Sequence, residues 1–237
     1  MNSESASPTS PLPIDPPLSA IEARVLGCLI EKELSTPDVY PLTLNALVNA
    51  CNQRNNRAPV MSVGPAEVEL ALEGLRHKQL ATHFAGAEAR VAKFKQRVDA
   101  VFPMETSARA MLGELLLRGA QTSAALRANA ERMCAMPEAA EVEAILNELA
   151  SRPAGALVRK LARQPGQKEA RWAQLLTGEP TEAPAGERDA TEGGAPQTMT
   201  VTIALPAEAE QRIKNLETEV AALREELSKL RAELGGA

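Results

Sequence analysis

The sequence predicts a mainly α chain of the α+β class: two tandem units of three helices and a β-hairpin, then a C-terminal coiled-coil helix. Three observations carry this. Apolar residues recur at i, i+3 and i+4 through six segments. Each trio of such segments is followed by two short strand-like runs about a Gly-containing turn. Residues 210–234 place apolar residues seven apart. The chain has 237 residues, 44% of them apolar, so it suffices for one large domain or two small ones.

In the first unit, Ser19 is an N-cap and Glu22 completes a capping box, opening a helix that runs to about Leu34 with Ile21, Val25, Leu26, Leu29 and Ile30 along one stripe. Leu42 or Thr43 opens the second helix, whose apolar face is Leu44, Leu47, Val48 and Cys51; residues 54–59 form a loop. Gly64-Pro65 opens the third, because proline suits a first helical turn, and Val68, Ala71, Leu72 and Leu75 face inward. Strands are expected over 80–84 and 89–94, about a turn at 85–87. The second unit repeats the order: helices over 107–117, 122–133 and 137–149, strands over 156–162 and 170–176, and a turn at 164–167. Residues 23–27 (ARVLG) parallel 108–113 (ARAMLG) with one insertion, and Glu67-Val68-Glu69 recurs as Glu141-Val142-Glu143 in the same slot. Each helix is expected to bury one stripe, with its hairpin closing the open side of a three-helix core.

Three helices and a hairpin are the order of a winged helix-turn-helix domain, so domains are placed at 19–102 and 103–178. Residues 1–18, which hold five prolines, and 179–197 lack the apolar surface needed to order them and are read as a disordered leader and linker. Residues 198–237 hold a short strand pattern and the heptad helix. The stretch LSAIEARVLGCLIEKELSTPDVYPLTLNALVNACNQRNNRAPVMSVGPAEV, with the later GELLLRGAQTSAALRANAERM, resembles the YceH-like family of uncharacterised bacterial proteins. The resemblance spans roughly residues 18–177. It implies a tandem winged-helix fold in a bacterial cytoplasmic protein and no reaction, ligand or catalytic residue.

The net charge of −5 is unevenly spread. Residues 76–97 and 152–171, the two hairpin regions, each carry +5, whereas 22–73 and 105–148 each carry −3. The candidate phosphate-binding residues are Arg76, Lys78, Arg90, Lys93, Lys95 and Arg97 in the first, and Arg159, Lys160, Arg163, Lys168 and Arg171 in the second. The other reading of these cations is a solvated strand face that guards a sheet edge. The third helices are acidic (Glu67, Glu69, Glu73; Glu138, Glu141, Glu143, Glu148), which argues against base reading in the major groove. A second cluster joins Asn45, Asn49 and Asn52 with Arg54 and Arg57. It is either an amide-lined surface for adenine edges, a peptide or a small ligand, or a set of capping and loop-bracing groups.

No nucleophile elbow, Gly-rich phosphate loop or metal-ligand spacing occurs, so no enzyme, metal or cofactor is predicted. Three scattered cysteines argue against a disulfide framework, and Cys28 is expected to be a buried, inert thiol. The N-terminus lacks a secretory pattern and no apolar run reaches about 18 residues, so a cytoplasmic protein without membrane contact is expected. Ile213, Val220, Leu227 and Leu234 occupy heptad a positions and Leu216, Leu223 and Leu230 d positions. The facing g–e′ pairs Arg212–Glu217, Glu219–Arg224 and Glu226–Arg231 match in a parallel homodimer; the other arrangement is a lone amphipathic helix folded back on the body. Two functions fit: a dimeric regulator holding double-stranded DNA by its wings, or a module that binds a protein partner through its acidic third helices.

Overall fold

The computed structural model describes residues 13–84, 91–163 and 166–180. In the first unit, α1 (Ala20–Ser35) begins in the expected capping box: the Ser19 hydroxyl accepts from the Glu22 N–H at 3.2 Å and the Glu22 carboxylate from the Ser19 N–H at 2.7 Å. After a 3-10 turn (Pro37–Val39) come β1 (Leu42–Thr43), α2 (Leu44–Cys51) and α3 (Pro65–His77), then β2 (Ala81–Phe84) and β3 (Lys93–Gln96). The strand β1 is missing from the sequence reading because two residues cannot show alternation. It pairs with β3, Leu42 opposite Phe94 and Thr43 opposite Lys93, giving an antiparallel sheet in the order β1-β3-β2. The return strand lies later than residues 89–94, since Ala81 pairs with Gln96 and so sets the register from the base of the hairpin.

A short α4 (Val98–Val101) leads into the second unit: α5 (Thr106–Arg118), α6 (Ser123–Ala130), α7 (Ala139–Ala150), β4 (Val158–Lys160) and β5 (Trp172–Gln174). In place of β1, Gln121 forms a single antiparallel bridge to Trp172. The helix expected over 122–133 stops at Ala130, where the Met133 N–H turns back to the Ala130 carbonyl. The protein is thus a mixed α/β structure with seven α-helices and two small antiparallel sheets among the described residues.

The two units share one hydrophobic cluster instead of burying two. Single stripes on α1 and α5 are the expectation, but every residue from Glu22 to Glu31 is buried in α1, as are nearly all from Ala108 to Leu117 in α5. Each helix is covered on one side by its own unit and on the other by its counterpart. Close approach requires glycine: a Cβ on Gly27 would lie 2.9 Å from Leu117 Cγ, and one on Gly113 would lie 2.8 Å from Ile30 Cγ2. The expected leader also contributes. Leu18 is buried and its N–H donates to the Leu176 carbonyl at 2.7 Å, and Ile14 packs on the same cluster, so residues 13–18 belong to the packed body. Both units lie within one contact-defined body, Met1–Glu192. The heptad residues Ile213, Leu216, Val220, Leu223, Leu227, Leu230 and Leu234 lie outside the described residues.

Candidate nucleic-acid interface

The first hairpin is built on alternation. In β3, Phe94 and Gln96 turn inward while Lys93 and Lys95 remain partly exposed. Cross-strand partners share a face, so Thr82 with Lys95 and Phe84 with Lys93 line the outer side of the sheet. The Lys95 ammonium sits 5.8 Å from the Phe84 ring centroid, and Phe84 is 42% exposed. On the other side, the His83 and Phe94 rings lie 4.6 Å apart. Gln96 fixes the base of the hairpin. Its Nε2 donates to Glu33 at 2.6 Å, its Oε1 accepts from the Val98 N–H, and its own N–H donates to the Tyr40 hydroxyl oxygen at 2.7 Å. Burial pushes the Tyr40 phenol above its ordinary range, so it stays protonated.

Not every predicted cation is free. Arg76 and Arg97 are exposed and, like Lys93 and Lys95, have no carboxylate partner among the described residues. Lys78 must be removed from the phosphate-binding set: its ammonium lies 2.6 Å from the Glu22 carboxylate, and both side chains are largely buried. Gly74 makes room for that pair, since a Cβ there would fall 2.1 Å from Glu22 Oε1. Arg90 lies outside the described residues.

The second hairpin differs from the first. Arg159 pairs with Glu179, and Lys160 lies 3.4 Å from Glu143 and 5.2 Å from the Trp172 ring centroid. A hydrogen bond from Ser123, with Lys160 nearby, holds the Glu143 carboxyl below its usual range. Arg163 and Lys168 are exposed and Arg171 is half-buried. A cleft of about 380 Å³ separates α6 and α7 from this hairpin, with Ser123, Arg127, Val142, Glu143, Lys160 and Ala170 in its wall.

The Asn/Arg cluster does not form one surface. Asn45 and Asn49 are exposed on α2 and Arg54 is exposed in the loop beyond it. Asn52 instead braces the loop: Nδ2 donates to the Val63 carbonyl at 2.9 Å and Oδ1 accepts from the Val63 N–H at 2.8 Å. Arg57 is buried, donating to Glu31 at 2.5 and 3.1 Å and to the Ala50 carbonyl at 3.0 Å. A ligand surface that includes Asn52 and Arg57 is therefore corrected to Asn45, Asn49 and Arg54.

A family model described as a protein of unknown function, DUF480, matches residues 18–167. The chain belongs to the DUF480 family. Among its relatives, the UPF0502 protein of Pelobacter propionicus is 48% identical over 214 residues, 90% of this chain and 93% of that one. The UPF0502 protein of Geobacter sulfurreducens is 48% identical over 206 residues (87% and 90%), and that of Vibrio atlanticus 41% over 221 (91% and 95%). The resemblance read over residues 18–177 is borne out.

Sequence reasoning missed the principal polar feature of this DUF480 protein, a buried ion network between its two units. Glu31 on α1 accepts from Arg57 and Arg132, Arg132 donates at 2.6 Å to Glu114 on α5, and Arg118 Nε lies 3.5 Å from Glu114. Burial opposes the Glu31 charge, yet Arg57 and Arg132 together bring its carboxyl below the usual range. Arg24, also buried, donates to the Cys51 and Pro59 carbonyls at 3.1 and 2.6 Å. The available signal was a charge inside an otherwise apolar run: Arg24 and Glu31 in one, Glu114 in the other. Cys28 is fully buried, as expected. Among the described residues, no group of three or more His, Cys, Asp or Glu is placed to hold a metal ion, and no helix is long and apolar enough to cross a membrane.

Proposed function

We propose that this DUF480 protein is a non-enzymatic, cytoplasmic tandem winged-helix protein that associates with double-stranded DNA by holding phosphates on its first hairpin. The observation that supports this is the outer face of the β1-β3-β2 sheet, where Lys93 and Lys95 stand beside Thr82 and Phe84 with no carboxylate partner among the described residues. Arg76 and Arg97 extend the basic surface at the base of the hairpin. The second hairpin contributes less, because Glu179 and Glu143 already hold Arg159 and Lys160. Outward carboxylates on α3 keep that helix out of the major groove, so binding is weakly sequence-dependent. The heptad helix makes the protein a parallel homodimer and doubles the contacts.

The test is fluorescence anisotropy of the full chain with a random-sequence duplex. Lys93→Glu with Lys95→Glu abolishes binding, and Arg159→Glu with Lys160→Glu weakens it only slightly. Absence of wild-type binding at low salt refutes the proposal.

A further inference from the structure

The helix α3 carries a feature that phosphate binding does not use. Val68, Ala71, Leu72 and Leu75 bury its inner face. On the outer face Ala66, Leu70, Glu73 and His77 follow one another at helical spacing, and all four are exposed. Leu70 is 70% exposed, the most exposed large apolar side chain among the described residues. Glu67 and Glu69 flank it, and Glu73 stands one turn on. Neither Glu69 nor Glu73 has a cation partner among the described residues, and Glu67 spends one oxygen on the Gly64 N–H. A single exposed leucine is ordinary on a protein surface. Here, however, the internal repeat supplies a control. Aligning Glu67-Val68-Glu69 with Glu141-Val142-Glu143 places Ala144 at the position of Leu70, also exposed. Only the first unit places a large apolar group at the centre of its carboxylates.

We infer that the outward face of α3, centred on Leu70, docks a protein partner through a segment whose apolar side chain is flanked by lysine or arginine. The charge decides the class of partner. Duplex DNA meets repulsion from Glu67, Glu69 and Glu73, whereas a basic segment neutralises them and covers Leu70 in one step. An apolar contact inside a polar rim is the usual anatomy of such an interface. Leu70 lies on α3 and Lys93 and Lys95 on β3, so one chain can hold a partner on the body of α3 and DNA on the hairpin, with Arg76 at the C-terminal end of α3 on the DNA side.

The test places a photoreactive benzophenone residue at Ala66, one turn from an intact Leu70, in full-length protein expressed in a bacterium. The same residue at Ala140, the equivalent site on α7, is the control. The expected adduct forms from position 66 and not from position 140, and its attached peptide carries apolar residues and net positive charge. Its yield falls at least about tenfold with Leu70→Asp, and equally with Glu69→Lys plus Glu73→Lys. Leu70→Asp protein should melt as the wild type does and keep its binding to duplex DNA, which separates failure here from failure of the phosphate-binding proposal. Any of these results overturns the inference: no adduct, equal adducts at both positions, an adduct indifferent to Leu70→Asp, or one formed with DNA or a second copy of the chain.

Discussion

Glu31 illustrates how a charge can be held in this core. Its carboxylate is fully buried and receives both Arg57 and Arg132, which hold its pKa low in the folded protein despite burial. A depressed folded pKa stabilises the protein above the unfolded value of 4.5, and that contribution is lost as the pH falls from there through the folded value. Melting followed by circular dichroism should therefore show stability dropping below about pH 4.5 with a steeper slope in the wild type than in Glu31→Gln. At pH 7 the substitution leaves Arg57 and Arg132 facing a neutral amide, and should cost about 3–5 kcal/mol, the range for breaking a buried pair on one side. A loss under 1 kcal/mol would mean that water or a neighbouring carboxylate replaces Glu31. Lys78 makes the complementary point at the same scale. Arg76 and Lys93 remain available, while Glu22 and the space left by Gly74 turn Lys78 inward.

Among the elements, α1 and α5 carry the greatest constraint, because each meets its own unit on one side and the other unit on its opposite side. Their crossing depends on two glycines. A methyl at position 113 meets the branched carbon of Ile30, which stands close to its backbone and cannot swing away. Gly113→Ala should therefore destabilise the protein by about 1 kcal/mol net, overpacking of 1–3 kcal/mol outweighing roughly 1 kcal/mol of improved helix propensity. Urea denaturation measures this, and a stabilised variant would show that the helices have room to separate. Of the two hairpins, the first presents its cations outward from a three-stranded sheet. The second holds Lys160 over Trp172 and against Glu143. Identical net charge in the two sequences thus becomes two different surfaces.

At the scale of the whole molecule, the proposed phosphate contacts and the proposed dimer belong to one calculation. If Arg76, Lys93, Lys95 and Arg97 each neutralise one phosphate, the slope of log K against log salt is about −3.6 for one hairpin and about −7 for a dimer. Titrations at several salt concentrations measure it, and a slope near zero would exclude phosphate contact. Dimerisation is measured independently by sedimentation. The full chain should be a dimer at about tens of micromolar; a chain ending at Gly178 should be a monomer because it lacks the heptads, and Leu223→Glu because carboxylates in a seam of three heptads outweigh what it can bury. A truncated chain as dimeric as the full one would move the interface elsewhere.

The sequence by itself determined the order of the six main helices and the two hairpins, the capping box at Ser19, the apolar faces of α2 and α3 and the membership of the DUF480 family. These depend on local rules: periodicity, caps and turn residues act over a few positions, so a single chain displays them. It also marked where cations concentrate. Only the tertiary structure decided which of them are free, since the partners of Lys78, Arg159 and Lys160 come from residues 56, 20 and 17 positions away. The same holds for Arg57, read as part of a polar cluster, and for Arg132, read only as a position in a helix: Arg57 is buried and Arg132 is turned inward because Glu31 and Glu114 lie buried on neighbouring helices. That the two units share one core was beyond local reading too. Two glycines and two all-round buried helices express it, and a periodicity argument that assigns each helix one buried stripe has no place for a second one.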